Sequence, residues 1–328
     1  MPASIILDTD IDTDCDDAGA MAVLHALADN GEADILGIIC DAPIPWCAPC
    51  VEAINRYYGR PEIPIGAVQV SDYATNRRYH LYREHVKSMA QGRVYDPYNQ
   101  AIALGFPQGK TARGEVWDGV ALYRKLLSEQ PDQSVVIAAI GFLTVLESLL
   151  DSAPDEHSPL SGVELVRSKV KRLVTMGGGS FPQGRDSFNW WMDKAAAGAV
   201  LNRWPAALAV SEWGGSILTG ATLSRRTPET NPVRRAYAIY LYGEGRSRCS
   251  WDQTAVLYAV RGPREYFTEI RGHRIRFSPG TGEHEWLPAL SEEQHIYLQQ
   301  TASDEALAAV IEALMTQPPA RGHDRRRG

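Results

Sequence analysis

The chain has 328 residues, 44% hydrophobic and 22% charged, with a formal net charge of −7. Such a composition fits a globular protein with a sizeable core and excludes a general affinity for nucleic acid or an anionic membrane, leaving a small or neutral ligand as the expected partner. No apolar run reaches the length of a bilayer span and no basic-then-apolar leader opens the chain, so the expected compartment is the cytoplasm.

The five cysteines (Cys15, Cys40, Cys47, Cys50 and Cys249) form no disulfide framework, and Cys47-x-x-Cys50 lacks the second pair that a zinc site needs. The run Ile5-Ile6-Leu7 reads as a first strand. It delivers its end to Asp8-Thr9-Asp10-Ile11-Asp12-Thr13-Asp14-Cys15-Asp16-Asp17, six aspartates in ten residues. So many carboxylates repel one another, and a bound cation removes the penalty. Oxygen donors without a nearby His or Cys pair favour Ca²⁺ or Mg²⁺ over zinc. The bland alternative is a solvated loop in which Asp16 or Asp17 caps the next helix. An EF-hand is excluded in both registers, because Thr13 or Cys15 falls where glycine is required and Gly19 or Met21 where glutamate is.

A helix is predicted from near Asp17 to Ala28, with His25 on its packed face. A strand follows over Ile35–Cys40, then a helix over Val51–Tyr58 closed by Gly59, and a short strand at Pro64-Ile65-Gly66. Residues 71–108 lose clear periodicity and carry Tyr73, Arg77, Arg78, Tyr79, His80, Tyr82, His85, Tyr95 and Tyr98, as expected of an insertion covering an active site rather than of the alternative, a plain surface excursion. Alternation resumes with a helix near Glu115–Glu129 and a strand over Ser134–Ile140 that runs into Gly141-Phe142-Leu143-Thr144 and another helix. A strand over Val170–Thr175 ends at Met176-Gly177-Gly178-Gly179, whose spacing fits neither a P-loop nor a dinucleotide fingerprint. Asp193–Asn202 reads as a helix, Ala206–Val210 as a strand, Arg234–Tyr242 as a helix carrying Tyr237 and Tyr240, and Asp252 falls at the start of a last helix.

This alternation predicts an α/β fold: an open, mostly parallel sheet flanked by helices, Rossmann-like, in a single domain over 1–320 with a disordered basic tail at 321–328. Ligands of such sheets bind beyond the carboxyl ends of the strands. The acidic loop, Asp41, Thr144, the glycine triplet, Asn189 and Trp213 are expected at that rim.

An apolar strand followed by D-x-D also opens phosphohydrolases of the haloacid-dehalogenase type, with Asp8 or Asp10 as nucleophile. More of the chain resembles the nucleoside hydrolase family. Asp8-Thr9-Asp10 with Asp16-Asp17-Ala18 is similar to its D-T-D…D-D-A signature, with a loop about two residues longer than the common form. In order, Ala139–Thr144 resembles its A-L-G-P-L-T-N segment, Thr175–Gly178 its M-G-G turn, Phe188-Asn189 the end of its E-F-N element and Trp251-Asp252 its late H-D.

The resemblance implies a Ca²⁺-dependent N-glycosidase of purine or pyrimidine salvage, acting on a ribonucleoside-like substrate and assembled as a homo-oligomer, dimer or tetramer. Asp10, Asp17 and Asp252 would ligate calcium with the Thr144 carbonyl. Asp10 would double as the base, Asp16 and Asn189 would hold the ribose hydroxyls, and Asp8 would support the loop. Three positions depart from the pattern: Asp12 stands where relatives often have glycine, Ser187 replaces the Glu of E-F-N, and Trp251 replaces the His. An indole cannot protonate a departing base. Trp251, Tyr237, Tyr240, His80, His85, Trp190, Trp191 and Trp213 are therefore the candidates for handling it, and a non-catalytic sugar-binding relative is the remaining alternative.

Overall fold

The computed structural model describes residues 1–12, 14–71, 74–75, 79–84, 97–107, 109, 111, 114–186, 188–289 and 295–320. Expectations for Tyr73, Arg77, Arg78, His85, Tyr95, Ser187 and the tail at 321–328 lie outside these residues.

The described strands are β1 (Ala3–Thr9), β2 (Ala33–Cys40), β3 (Ile65–Ala67), β4 (Trp117–Asp118), β5 (Val135–Ala139), β6 (Val170–Met176), β7 (Gln183–Arg185), β8 (Leu208–Ser211), β9 (Leu218–Thr219), β10 (Arg248–Cys249), β11 (Phe267–Phe277), β12 (Glu283–Pro288) and β13 (His295–Gln300). All but β9 and β10 form one sheet in the order β4-β3-β2-β1-β5-β6-β8-β13-β11-β12-β7. It is parallel from β4 to β13 and antiparallel from β13 to β7. The expected α/β sheet is thus present in one domain, and the segment beyond residue 261, where no strands were predicted, forms its antiparallel flank together with β7.

Central strands are apolar because both faces are covered. Ile5, Ile6 and Leu7 are fully buried, Ile5 and Leu7 in the core of one face and Ile6 in that of the other. Each contributes about 1.5–3 kcal/mol by leaving water.

The described helices are α1 (Asp16–Asp29), α2 (Cys47–Tyr57), α3 (Tyr98–Gly105), α4 (Gly119–Ser128), α5 (Thr144–Leu150), α6 (Gly162–Lys169), α7 (Asn189–Met192), α8 (Lys194–Arg203), α9 (Leu223–Arg226), α10 (Pro232–Tyr240), α11 (Trp251–Arg261) and α12 (Asp304–Met315). Helix α1 is buried from Asp16 to Leu27 and packs against α11 and α12. Its alanines and Gly19 permit this approach; a Cβ on Gly19 would lie 2.3 Å from Gln253 Nε2.

Helix α2 begins four residues before the predicted Val51. Pro49 falls in its first turn, where a missing N–H is no loss. Helix α4 starts at Gly119, later than expected, because the Asp118 side chain caps it by accepting from Ala121 N. Helix α6 was not predicted, although Ser161 and Glu164 spell its capping box.

Candidate active site

Register brings the acidic residues to one rim. Asp8 in β1 pairs with Ile39 and with Ala139, so Asp10, Asp41 and Ile140 leave the sheet together. The Ile140 and Asp41 amides donate to the carbonyls of Asp8 and Thr9 at 2.8 and 3.0 Å. Gly141 is required at this approach, since a Cβ there would lie 2.4 Å from Asp10 N and 2.5 Å from Asp41 Oδ2.

The acidic loop turns through Ile11 at φ 25°, a costly conformation for a β-branched residue. Neighbours hold it there. Asn99 Nδ2 donates to the Ile11 carbonyl at 3.0 Å, Ile11 N donates to Asp17 Oδ1 at 3.3 Å, and Cys47 Sγ donates to the Asp10 carbonyl at 3.1 Å. Tyr82 donates its hydroxyl to buried Asp12. From the segment expected as a cover, Tyr82 and Asn99 thus grip the loop from inside the fold.

A cavity of about 380 Å³ opens at this rim. Asp10, Asp16, Asp17, Asn189, Trp251 and Asp252, predicted from widely separated motifs, all line it. Ligand oxygens of Asp16, Asp17 and Asp252 lie within 4.8 Å of one another. Burial pushes Asp10 up to about 7, helped by the charges of Asp12 and Asp16, and raises Asp16, Asp17 and Asp252 well above the usual carboxylate range. Beneath them Asp8 is pushed up to about 6 by burial, against the hydrogen bond that Tyr123 Oη donates to it at 2.5 Å. Converging, desolvated carboxylate oxygens are the donor set of a hard divalent cation, so calcium or magnesium fits these residues.

Three predicted site residues lie elsewhere. Thr144 opens α5: its carbonyl accepts from Ser148 Oγ at 3.1 Å within the helix, and its hydroxyl donates to Asp193. From the same segment Ile140, one residue past β5, lines the cavity, and Asn189 Nδ2 donates to its carbonyl oxygen at 2.8 Å. Tyr237 is buried behind α1, its hydroxyl accepting from Gln253 Nε2 at 2.7 Å. His80 bonds the Ala74 carbonyl at 2.6 Å in an exposed contact outside the cavity lining. Among the other aromatic candidates, Tyr240 lines the cavity, whereas Trp190 is core and bonds Thr175, and Trp213 donates to the Leu298 carbonyl. Glu212, next to Trp213, is the residue that reaches the rim.

Asp186, Glu212 and Arg248 also line the cavity and were not predicted. Asp186 Oδ2 accepts from Phe188 N and Trp190 N at 3.2 and 2.6 Å, and burial pushes this carboxyl up to about 6. It sits one residue before Ser187, which stands in place of the expected glutamate, so an acidic side chain is present at a shifted position. Glu212 accepts from Ser180 N at 2.5 Å and from Tyr297 Oη at 2.6 Å. Arg248 reaches the cavity by pairing with Asp14, a partner 234 residues away that no local pattern reveals.

The fold is similar to that of the type III effector protein XopQ complexed with adenosine diphosphate ribose: TM-score 0.71, 16% identity, covering 96% of this chain and 94% of that one. It is also similar to the plant nucleoside hydrolase PpNRh1 (TM-score 0.65, 16% identity, 97% and 100% covered). An inosine-uridine preferring nucleoside hydrolase from Bacillus anthracis gives a TM-score of 0.61 at 14% identity, with 96% and 99% covered. No curated protein sequence matches the chain. The family pattern for inosine-uridine preferring nucleoside hydrolases matches residues 5–284, and the chain therefore belongs to that family of N-glycosyl hydrolases.

Proposed function

We propose that the protein hydrolyses the N-glycosidic bond of a ribonucleoside-like substrate in a calcium-dependent reaction, releasing ribose and free base. The observation that carries this reading is the convergence of Asp16, Asp17 and Asp252 within 4.8 Å, on a cavity wall shared with Asp10. Asp10, Asp17 and Asp252 would hold calcium with the Ile140 carbonyl, which takes the part expected of Thr144. When bound, the ion supplies positive charge that relieves the carboxylate repulsion, orients sugar hydroxyls and acidifies a water.

The remaining steps belong to the chain's own residues. Asp10, on the cavity wall, accepts a proton from the attacking water as general base. Asp16 and Asn189 hold the ribose hydroxyls. The dense negative charge favours the oxocarbenium-like sugar as the C–N bond breaks. The family match over residues 5–284 argues against the phosphohydrolase alternative.

Reducing-sugar release from a nucleoside panel tests the proposal. Release should stop on chelation and return on adding calcium; no release from any ribosyl substrate refutes it.

A further inference from the structure

The reading of the site as a ribosyl hydrolase, on which this inference rests, leaves one charge unaccounted for. A neutral base that departs with the electron pair of the C–N bond becomes an anion unless a proton or a cation meets it. Trp251 supplies no proton. Seven carboxylates line the cavity against one cation among the described lining residues, Arg248.

Arg248 is fixed from three sides. Its Nε donates to both Asp14 oxygens at 2.8 and 2.9 Å, and Nη2 donates to the same carboxylate. Asp14 is itself anchored, accepting from Cys15 N at 2.7 Å at the start of α1. The guanidinium carbon lies 5.2 Å from the centre of the Trp251 ring and 5.6 Å from that of Tyr240, and both rings line the cavity. A Cβ on Gly215 would come within 3.4 Å of the Trp251 indole, so backbone also packs against that ring. Nη1 makes no hydrogen bond within the described protein, and the Arg248 side chain is 30% exposed.

The cavity wall therefore carries both signs of charge. The carboxylates of Asp10, Asp16, Asp17 and Asp252 suit the developing sugar cation, and a rigidly held guanidinium with a free donor suits the opposite charge. A preorganised donor is most effective where charge develops and no reorganisation is needed. The two aromatic rings and Asp14 hold the guanidinium plane, which keeps the entropic cost of that preorganisation out of the reaction.

We propose that Arg248 receives the departing base, with Nη1 donating to an acceptor on the heterocycle, and that Asp14 is its positioning residue. The C1′–N bond breaks and its electron pair goes to the base. The water oxygen bonds C1′, and the water proton goes to Asp10. The base leaves as an anion paired with Arg248 and takes its proton from solvent, to which Asp10 returns the one it accepted. This role explains Asp14, an acidic-loop residue that the family resemblance leaves without one.

The test compares leaving groups of different need. Inosine and uridine release poor anions, whereas p-nitrophenyl β-D-ribofuranoside releases one stabilised by its own nitro group. Arg248→Met should lower kcat on inosine and uridine by about 10²–10³-fold, the usual cost of one lost donor, and kcat on the p-nitrophenyl riboside by less than about 10-fold. Arg248→Lys should recover part of the loss on the nucleosides, and Asp14→Asn should lower their kcat with the same selectivity. Equal losses on all three substrates, or an effect on KM alone, overturn the role of Arg248 and leave the hydrolase reading standing. Wild-type protein that releases ribose from none of the three overturns both.

Discussion

Calcium binding is expected to expel protons. In the metal-free protein burial pushes Asp10 up to about 7, while Asp16, Asp17 and Asp252 are held well above their ordinary range. A hard cation binds only the ionised form, so it competes with protons for these oxygens. Asp10 alone is about half protonated at pH 7, and its titration makes the apparent affinity about tenfold weaker at pH 6 than at pH 8, or about 1.4 kcal/mol. The sign follows from the direction of the shift: a raised pKa favours the protonated carboxyl in the metal-free fold, so affinity climbs with pH through 7. The other three carboxyls can only steepen the slope. Calorimetric titration with calcium at pH 6, 7 and 8, in two buffers of different ionisation heat, gives the affinity and the proton count together. We expect release of about half a proton or more at pH 7, with the Asp10 share lost in Asp10→Asn. Equal affinity at pH 6 and pH 8 with no proton released would refute the reasoning.

Other consequences follow from the same geometry. Asp252→Asn should weaken calcium binding by more than the ~10–100-fold typical of a residue that only supports a ligand, and ribose release should fall with it. Its melting temperature in chelator should hold or rise, because one buried charge has left a repelling cluster. Gly141→Ala should abolish calcium binding and ribose release while circular dichroism stays native, since the added carbon would lie 2.4 Å from Asp10 N. His25 stacks on Tyr58 at 4.6 Å, bonds Asn55 at 2.9 Å, and is pushed down to about 3 by burial, with the Arg60 charge adding to it. Because its folded pKa is depressed, the unfolded chain takes up the proton first as the pH falls below about 6.5. Urea unfolding at pH 7.5 and pH 5 should therefore show wild type losing about 2 kcal/mol more than His25→Gln, and equal losses would contradict the assignment.

What was legible in the sequence was what local patterns encode. The apolar run at Ile5–Leu7 and the small residues of α1 fixed a strand and a buried helix around the aspartates. Collinear motifs then brought Asp10, Asp17, Asn189 and Asp252 to one cavity. Sequence and structure part where a residue's surroundings depend on packing across the fold. Thr144 lies in the matching segment, but helix begins at it, and Ile140, just past the strand, is the residue of that segment that lines the cavity. Tyr237 and Tyr240 share a helix, yet burial of α10 against α1 sends Tyr237 into the core and leaves Tyr240 at the cavity. The pairing of Asp14 with Arg248 joins the two ends of the family signature by tertiary structure alone, and no spacing in the sequence announces it. The antiparallel flank was missed for a related reason: β11 is only partly buried and alternates irregularly, so its strand character rests on its neighbours β12 and β13.

The most direct test of the account is a crystal structure of the protein grown with calcium. We expect one ion bonded by Asp10, Asp17, Asp252 and the Ile140 carbonyl, at roughly the 2.3–2.6 Å typical of calcium–oxygen bonds. Calcium bound elsewhere, or a cavity in which these four oxygens do not meet on one ion, would contradict the central claim.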